Sequence, residues 1–236
     1  QDPSQELRFG FNIIKEPKNN LNILDNISRL IEDSKTGKLE IEDKWIESKF
    51  NSLIKIVTEE LENLHPHLAA RALQHFWLND LSRGYIQFVR DRLAENDEAA
   101  KFTLKGIYTA LLKLLAPIIP FMTEKIWQEL KNKKIVKEES VHLSQWPQFD
   151  EKKINPKLEG EFSIALKIIE LGLASRDNKK IGLRWPLAKA LVTCDKKISK
   201  EIEEIISRQL NVKKIEIKKQ EKKEKKRKKK NQKRKK

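Results

Sequence analysis

The residues of this 236-residue chain that could break or make bonds are few, and their spacing does not assemble them. Of four histidines, His65 and His67 flank Pro66, which removes them from the i, i+4 relation by which a helix offers two ligands to one metal. With no cysteine near them and only His75 and His142 left as partners, no metal site is expected. Cys194 is the sole cysteine, which rules out an intrachain disulfide and a thiolate cluster and fits a reducing, cytoplasmic compartment. The acid pairs Glu59/Glu60 and Glu203/Glu204 sit in lysine-rich helical stretches and read as solvated faces, because acid–base catalysis needs two carboxyls in unlike environments. There is no glycine-rich phosphate loop and no nucleophile with a spaced histidine and acid. What remains is groups that bind rather than react, arginines and tryptophans above all.

The elements that must position them follow from hydrophobic period. Leu21, Leu24, Ile27 and Ile31 recur at helical spacing, predicting a helix from Lys18 to Ser34 that ends before Gly37. Asp43 is a plausible N-cap for a second helix, whose stripe of Ile46, Phe50, Leu53, Ile54, Val57 and Leu61 stops at Pro66. From Leu68 to Ala94 a third helix places Trp77, Leu81, Tyr85 and Phe88 on one side, and His75, Asn79, Arg83 and Arg90 on the other with Ile86 as an apolar intruder. A fourth stretch, Glu98 to Leu130, is kinked or broken by Pro117 and Pro120, with Leu111, Leu115, Ile118, Ile119, Met122, Ile126 and Trp127 filling a core. After a loop from Lys131 to Asp150, Phe162, Leu166, Ile169 and Leu173 mark a fifth helix. ALVTC and VKKIEI then read as short strands separated by a helix from Lys200 to Leu210. Trp45, Trp77, Trp127 and Tyr85 are expected in the core, and Trp146 as a packing anchor.

The resulting fold class is mainly α: a helical bundle over 18–150, a C-terminal helix and small α+β appendix over 151–217, a leading linker over 1–17, and a tail over 218–236. The net charge of +15 is concentrated in that tail, which holds 14 basic and two acidic residues, so the body is only about +3. The tail has nothing to bury and is expected to be disordered. It reads either as a solvated extension or as a nonspecific polyanion-binding arm. No apolar run approaches the ~20 residues that span a bilayer, so a soluble protein is expected. The only methionine is Met122, which suggests a piece of a longer protein or a processed product.

The string LLKLLAPIIPFMTEKIWQEL, Leu111 to Leu130, closely resembles the Pro-x-x-Pro-Phe, Thr-Glu-x-Ile-Trp helix of the anticodon-binding domain shared by isoleucyl-, valyl-, leucyl- and methionyl-tRNA synthetases of class I. LRFGFNII with LNILDNISRL, in which Asn26 stands at the family's usual asparagine, EDKWIESKFNSLIKIVTEELEN, and FWLNDLSRGYIQFVRDRL resemble further segments in the same order. VHLSQWP, GLRWPL from Gly182 to Leu187, and LNVKKIEI from Leu210 resemble the isoleucyl branch of archaeal and eukaryotic type. Two departures stand out: Gly84 replaces a common aromatic residue, leaving a packing or tRNA contact in doubt, and SRDNKKIGLRWPL lacks the usual Glu-Ala-Gly.

The resemblance, which covers about residues 6 to 217, implies a module that grips the anticodon stem and loop of isoleucine tRNA. The ATP-site signatures are absent from the chain, so ATP and Mg would serve a catalytic body elsewhere, a second partner besides the tRNA, and no aminoacylation is expected of this chain alone. Arg83 and Arg90, about 10 Å apart along a straight helix, could each meet a phosphate; the alternative is a surface ion pair with Asp80 or Glu95. Asn79, one turn before Arg83, could bond a ribose or a base edge. Trp185 could stack on an unstacked base with Arg184 pairing a phosphate or base edge, or else anchor the small domain's core. The same module of a valyl enzyme, and a scaffolding bundle with a nucleic-acid-binding tail, are the rival readings.

Overall fold

A computed structural model describes residues 10–194 and 198–218; the first nine residues and the basic tail beyond Lys218 lie outside them, and with them the expected linker start and tail disorder. The chain divides into two compact units, 1–159 and 160–236.

The first unit is helical. Its helices are α1 (Phe11–Ser28), α2 (Ile41–Glu62), α3 (Pro66–His75), a π-helical segment (Phe76–Tyr85), α4 (Ile86–Phe88), α5 (Arg90–Ala94), α6 (Glu98–Leu115) and α7 (Pro120–Asn132), followed by 3-10 turns at Val141–Leu143 and Glu151–Lys153. Helix α2 packs against α3, the π segment and α6. The predicted stripes are where they should be: Trp45, Ile46, Leu53 and Val57 of α2, and Leu111 and Leu115 of α6, are buried. Tilted ring contacts join Trp45 to Phe88 and Phe50 to Phe76, with centroids 5.6 and 5.4 Å apart. Two of the core tryptophans have acceptors for their indole N–H, as buried indoles usually do: Trp77 Nε1 donates to Asn20 O and Trp127 Nε1 to Glu138 O. Half-buried Trp146 anchors the connecting loop through a 3.0 Å bond to Thr58 Oγ1.

Four details of the sequence reading are corrected. Helix α1 starts seven residues before Lys18 and ends six before Ser34. It runs through Pro17 because residues 11–19 are all exposed, so water can satisfy the one carbonyl the proline leaves without its helical donor. At the other end Ser28 Oγ turns back onto Asp25 O at 2.6 Å, a side-chain bond that competes with continuation. Second, the N-cap of α2 is Glu40, and Asp43 is the N3 partner of a capping box, accepting the Glu40 N–H at 2.9 Å. Third, the 68–94 helix is not uniform: Ile86 N–H bonds Leu81 O, five residues back, and Val89 (φ −97°, ψ 8°) interrupts it. Fourth, Ile118, Ile119 and Met122 are only half-buried, because Pro120 opens a new helix at an exposed corner rather than bending one inside the core.

The second unit takes most of α8 (Pro156–Asn178), then β1 (Ala190–Thr193), α9 (Lys200–Leu210) and β2 (Ile215–Lys218). The strands pair in parallel, in register from Ala190 opposite Ile215 to Thr193 opposite Lys218, with Leu187 bridged to Val212. Parallel neighbours need a crossover, and α9 supplies it, burying Ile202, Ile205, Ile206 and Leu210 at helical spacing. Helix α9 ends at Asn211 in the left-handed region (φ 47°, ψ 56°), the conformation that stops a helix and that asparagine tolerates. Gly172 lets α8 approach α9: a Cβ there would lie 2.6 Å from the Leu210 side chain.

Candidate nucleic-acid interface

Each unit carries one group of the sequence-predicted residues. In the first, Arg83 is exposed and Arg83 Nη1 donates to Asn79 Oδ1 at 3.2 Å, so the two form one polar cluster. The alternative ion pair with Asp80 is not made. Asp80 is buried and engaged by Lys49 at 3.6 Å and His75 at 3.5 Å; burial raises its carboxyl above the usual range, with Lys49 opposing. Arg90 is exposed and carries no ion pair among the described residues, so a pair with Glu95 is absent too. The π segment and the Val89 interruption lie between Arg83 and Arg90, so their straight-helix relation on one face does not hold. Gly84 is closed to any ligand, since a Cβ would stand 2.9 Å from the Trp45 ring and 3.1 Å from Asn79 O.

The segment is held by an arginine that sequence reasoning passed over. Arg92, two residues beyond Arg90, is 7% exposed. Its Nη2 donates to Asp43 Oδ2 at 2.9 Å, its Nη1 to Asp43 Oδ1 at 3.2 Å, and its Nε to Asp97 Oδ2 at 3.0 Å; Glu42 lies 3.4 Å away. Tyr85 Oη adds a 2.6 Å bond to Asp43 Oδ1. Burial works against the Arg92 charge, but hydrogen bonds to Asp43 and Asp97 outweigh it and hold the proton more tightly than usual. Asp97, which also caps α6 by accepting the Ala100 N–H at 3.0 Å, is correspondingly held below the ordinary carboxylate range although burial alone would raise it. The hub ties the start of α2 to both ends of the α5–α6 turn and so fixes the backbone from which Arg83 and Arg90 project. Asp97, two residues before the Ala99-Ala100 pair that opens α6, was the one available signal, because an N-cap acid is a local acceptor for a nearby guanidinium.

In the second unit Arg184 and Trp185 occupy an exposed turn between α8 and β1. Trp185 is 71% exposed, which excludes the core-anchor alternative. Its backbone is nevertheless pinned. Trp185 N–H donates to Gly182 O at 3.1 Å, and Arg176 Nη2, from the last turns of α8, donates to both Gly182 O (2.7 Å) and Trp185 O (2.5 Å). Arg176 Nη1 donates to Leu210 O at 3.2 Å, and Asn211 Nδ2 to Leu183 O at 2.9 Å. Leu187 exchanges backbone bonds with Asn211 and Lys213, closing the turn. Lys179, Lys180 and Lys213 are exposed and carry no ion pair among the described residues, while Lys189 and Lys214 are paired to Glu216. The arrangement is an apolar ring on a fixed backbone amid cations, the combination that holds an unstacked base and its phosphates. Among the described residues no three His, Cys, Asp or Glu could hold a metal ion, and no helix is long and apolar enough to cross a membrane.

The sequence compared with known proteins points the same way. Residues 43–192 match the model of the anticodon-binding domain of tRNA ligase. The chain is 36% identical over 240 residues to an isoleucine-tRNA ligase of Pyrococcus horikoshii and 35% identical over 240 residues to that of Thermococcus kodakarensis, in both cases covering 92% of this chain and 22% of the relative. It is 38% identical over 182 residues to the isoleucine-tRNA ligase of Clostridium novyi, covering 74% of this chain and 17% of the relative. The chain thus spans about a fifth of the length of the curated relatives it matches.

Proposed function

We propose, from the premise that this chain belongs to the anticodon-binding domain family of tRNA ligases, that it binds the anticodon stem and loop of isoleucine tRNA on behalf of an isoleucine-tRNA ligase. The observation that carries the reading is Trp185, 71% exposed yet held by backbone bonds to Arg176 and Gly182, with Arg184 beside it. Burying a large indole is favourable, and a chain that leaves one outside on a rigid turn keeps it available for a partner with a flat apolar face. Among polyanions, an unpaired nucleobase flanked by phosphates meets that description. The polar cluster of Arg83 and Asn79, together with Arg90, supplies further phosphate or ribose contacts from the first unit. The two relatives above that match 92% of the chain are isoleucine-tRNA ligases, which favours isoleucine over valine tRNA. In this reading adenylate formation, with ATP and Mg, falls to a catalytic body outside the chain, and the Lys-rich tail acts as a nonspecific arm.

Titrating isoleucine and valine tRNAs against the chain across a range of salt tests this. Four or five tail contacts would contribute about −3 to −4 to the slope of log K against log salt, with no preference between tRNAs, since phosphate contacts carry no sequence information. Truncation after Ile217 should flatten the slope and keep the preference for isoleucine tRNA, whereas Trp185→Ala should erode the preference and leave the slope nearly unchanged. Equal binding of both tRNAs by the truncated chain, with discrimination only by the full chain, would overturn the assignment.

A further inference from the structure

Arg176 is 6% exposed, yet it faces no carboxylate among its hydrogen-bond partners. Its two terminal nitrogens reach three main-chain carbonyls, those of Gly182, Trp185 and Leu210, and its Nε has no hydrogen-bond partner among the described residues. A buried guanidinium served only by neutral acceptors is a poor way to gain stability, because desolvation of the charge is only partly offset. It is a good way to gain geometry: a planar fork with fixed donor directions sets the distance between two loop carbonyls, and an ammonium cannot. Asn211 completes the frame. Its left-handed backbone ends α9, and its amide holds Leu183 O, the one carbonyl between Gly182 and Arg184. Every side chain from Leu183 to Pro186 is exposed while the backbone beneath is fixed at residues 182, 183 and 185.

We infer that Arg176 is a positioning residue, assisted by Asn211, which holds the Gly182–Pro186 turn in the conformation that presents Trp185 to an unpaired base. The inference rests on the anticodon-binding reading for its purpose, but the positioning itself can be measured without RNA. A turn left free would have to be ordered when the base arrives, and that ordering would subtract from the stacking gain. Arg176 removes the penalty in advance. It touches no RNA itself, so its effect on binding must pass entirely through Trp185.

The test uses the full chain labelled with 5-fluorotryptophan, whose five tryptophans give five fluorine resonances, that of Trp185 identified by its loss in Trp185→Phe. Arg176→Met, of similar length and without the charge, should shift or broaden the Trp185 signal and leave the four others in place; Asn211→Gly, which keeps the left-handed backbone, should do so to a smaller extent. A seventeen-nucleotide-class hairpin, about the size of an anticodon stem-loop, is then titrated: loss of one base stack lowers affinity about tenfold, so Trp185→Ala and Arg176→Met should each weaken binding by about that factor. The double variant should be no weaker than Trp185→Ala alone, where independent effects would multiply to about a hundredfold. Arg176→Lys, with the charge kept and the fork lost, should behave like Arg176→Met, and it carries the test together with Asn211→Gly if the methionine variant does not fold. An unmoved Trp185 signal in these variants, or effects that multiply, overturns the positioning role. Unchanged hairpin affinity in Trp185→Ala together with a shifted Trp185 signal in Arg176→Met would instead overturn the base-stacking reading and leave the positioning intact.

Discussion

Replacing Arg92 by alanine should unfold the helical unit more readily than any exposed substitution on the same segment. The guanidinium is 7% exposed and makes five contacts of 3.4 Å or less with carboxylate oxygens of Asp43, Asp97 and Glu42. Its removal leaves the Asp43 carboxylate, which is 0% exposed, with only the Tyr85 hydroxyl and the Glu40 N–H, and Glu42 buried beside it. Breaking a buried pair from one side costs about 3–5 kcal/mol because the surviving charge is stranded, a large part of the roughly 5–15 kcal/mol that holds a domain together. At about 2–4 °C per kcal/mol for a domain of this size, the melting temperature should fall by about 6–20 °C. The assay is urea and thermal unfolding by circular dichroism on the full chain, with an unchanged urea slope certifying that the same surface unfolds. Arg92→Met combined with Asp43→Leu should recover part of the loss, because removing both charges leaves neither unpaired. A loss below about 1 kcal/mol for Arg92→Ala would be that of a surface ion pair and would refute the claim that this hub holds the segment in place.

The remaining expectations are narrower. Asp97→Asn, which keeps an N-cap acceptor but removes the charge facing Arg92, should lower stability at pH 7 by about 1 kcal/mol, the difference between a charge-assisted and a neutral hydrogen bond, as read by urea unfolding across pH. Because the folded-state carboxyl lies below its unfolded value of about 3.9, the contribution is present above that value and lost as pH falls through the folded one, so wild type and variant should converge in acid. Gly84→Ala forces a methyl to 2.9 Å from the buried Trp45 ring, and overpacking of this kind should cost about 1–3 kcal/mol in urea unfolding. Arg83→Ala with Arg90→Ala should leave stability within about 0.5 kcal/mol of wild type while flattening the salt slope of tRNA binding by about 1.4–1.8 if each meets one phosphate. An unchanged slope would return both to a solvated surface.

The hydrophobic period by itself determined the elements: the α2 stripe, the break between α6 and α7 at Pro117 and Pro120, the two short strands and the helix between them, and the burial of Trp45, Trp77, Trp127 and Tyr85 all stand as read. That much is local, because an apolar side chain at each turn of a helix has one sensible destination whatever covers it. The candidate site was legible only as residue types. Arg90 and Arg92 are two residues apart in one basic string, and only the placement of Asp43, 49 positions away in the chain, makes one of them a structural hub and leaves the other in solvent. A constant helical period could not foresee the π segment or the pause at Val89, so Arg83 and Arg90 lost their shared face. Trp185 could have been core or contact with equal reason, and its exposure was decided by how the turn is carried. Arg176 was invisible for a further reason: its partners are main-chain carbonyls, which every residue possesses and no sequence marks, so only the folded backbone could bring three of them to one guanidinium.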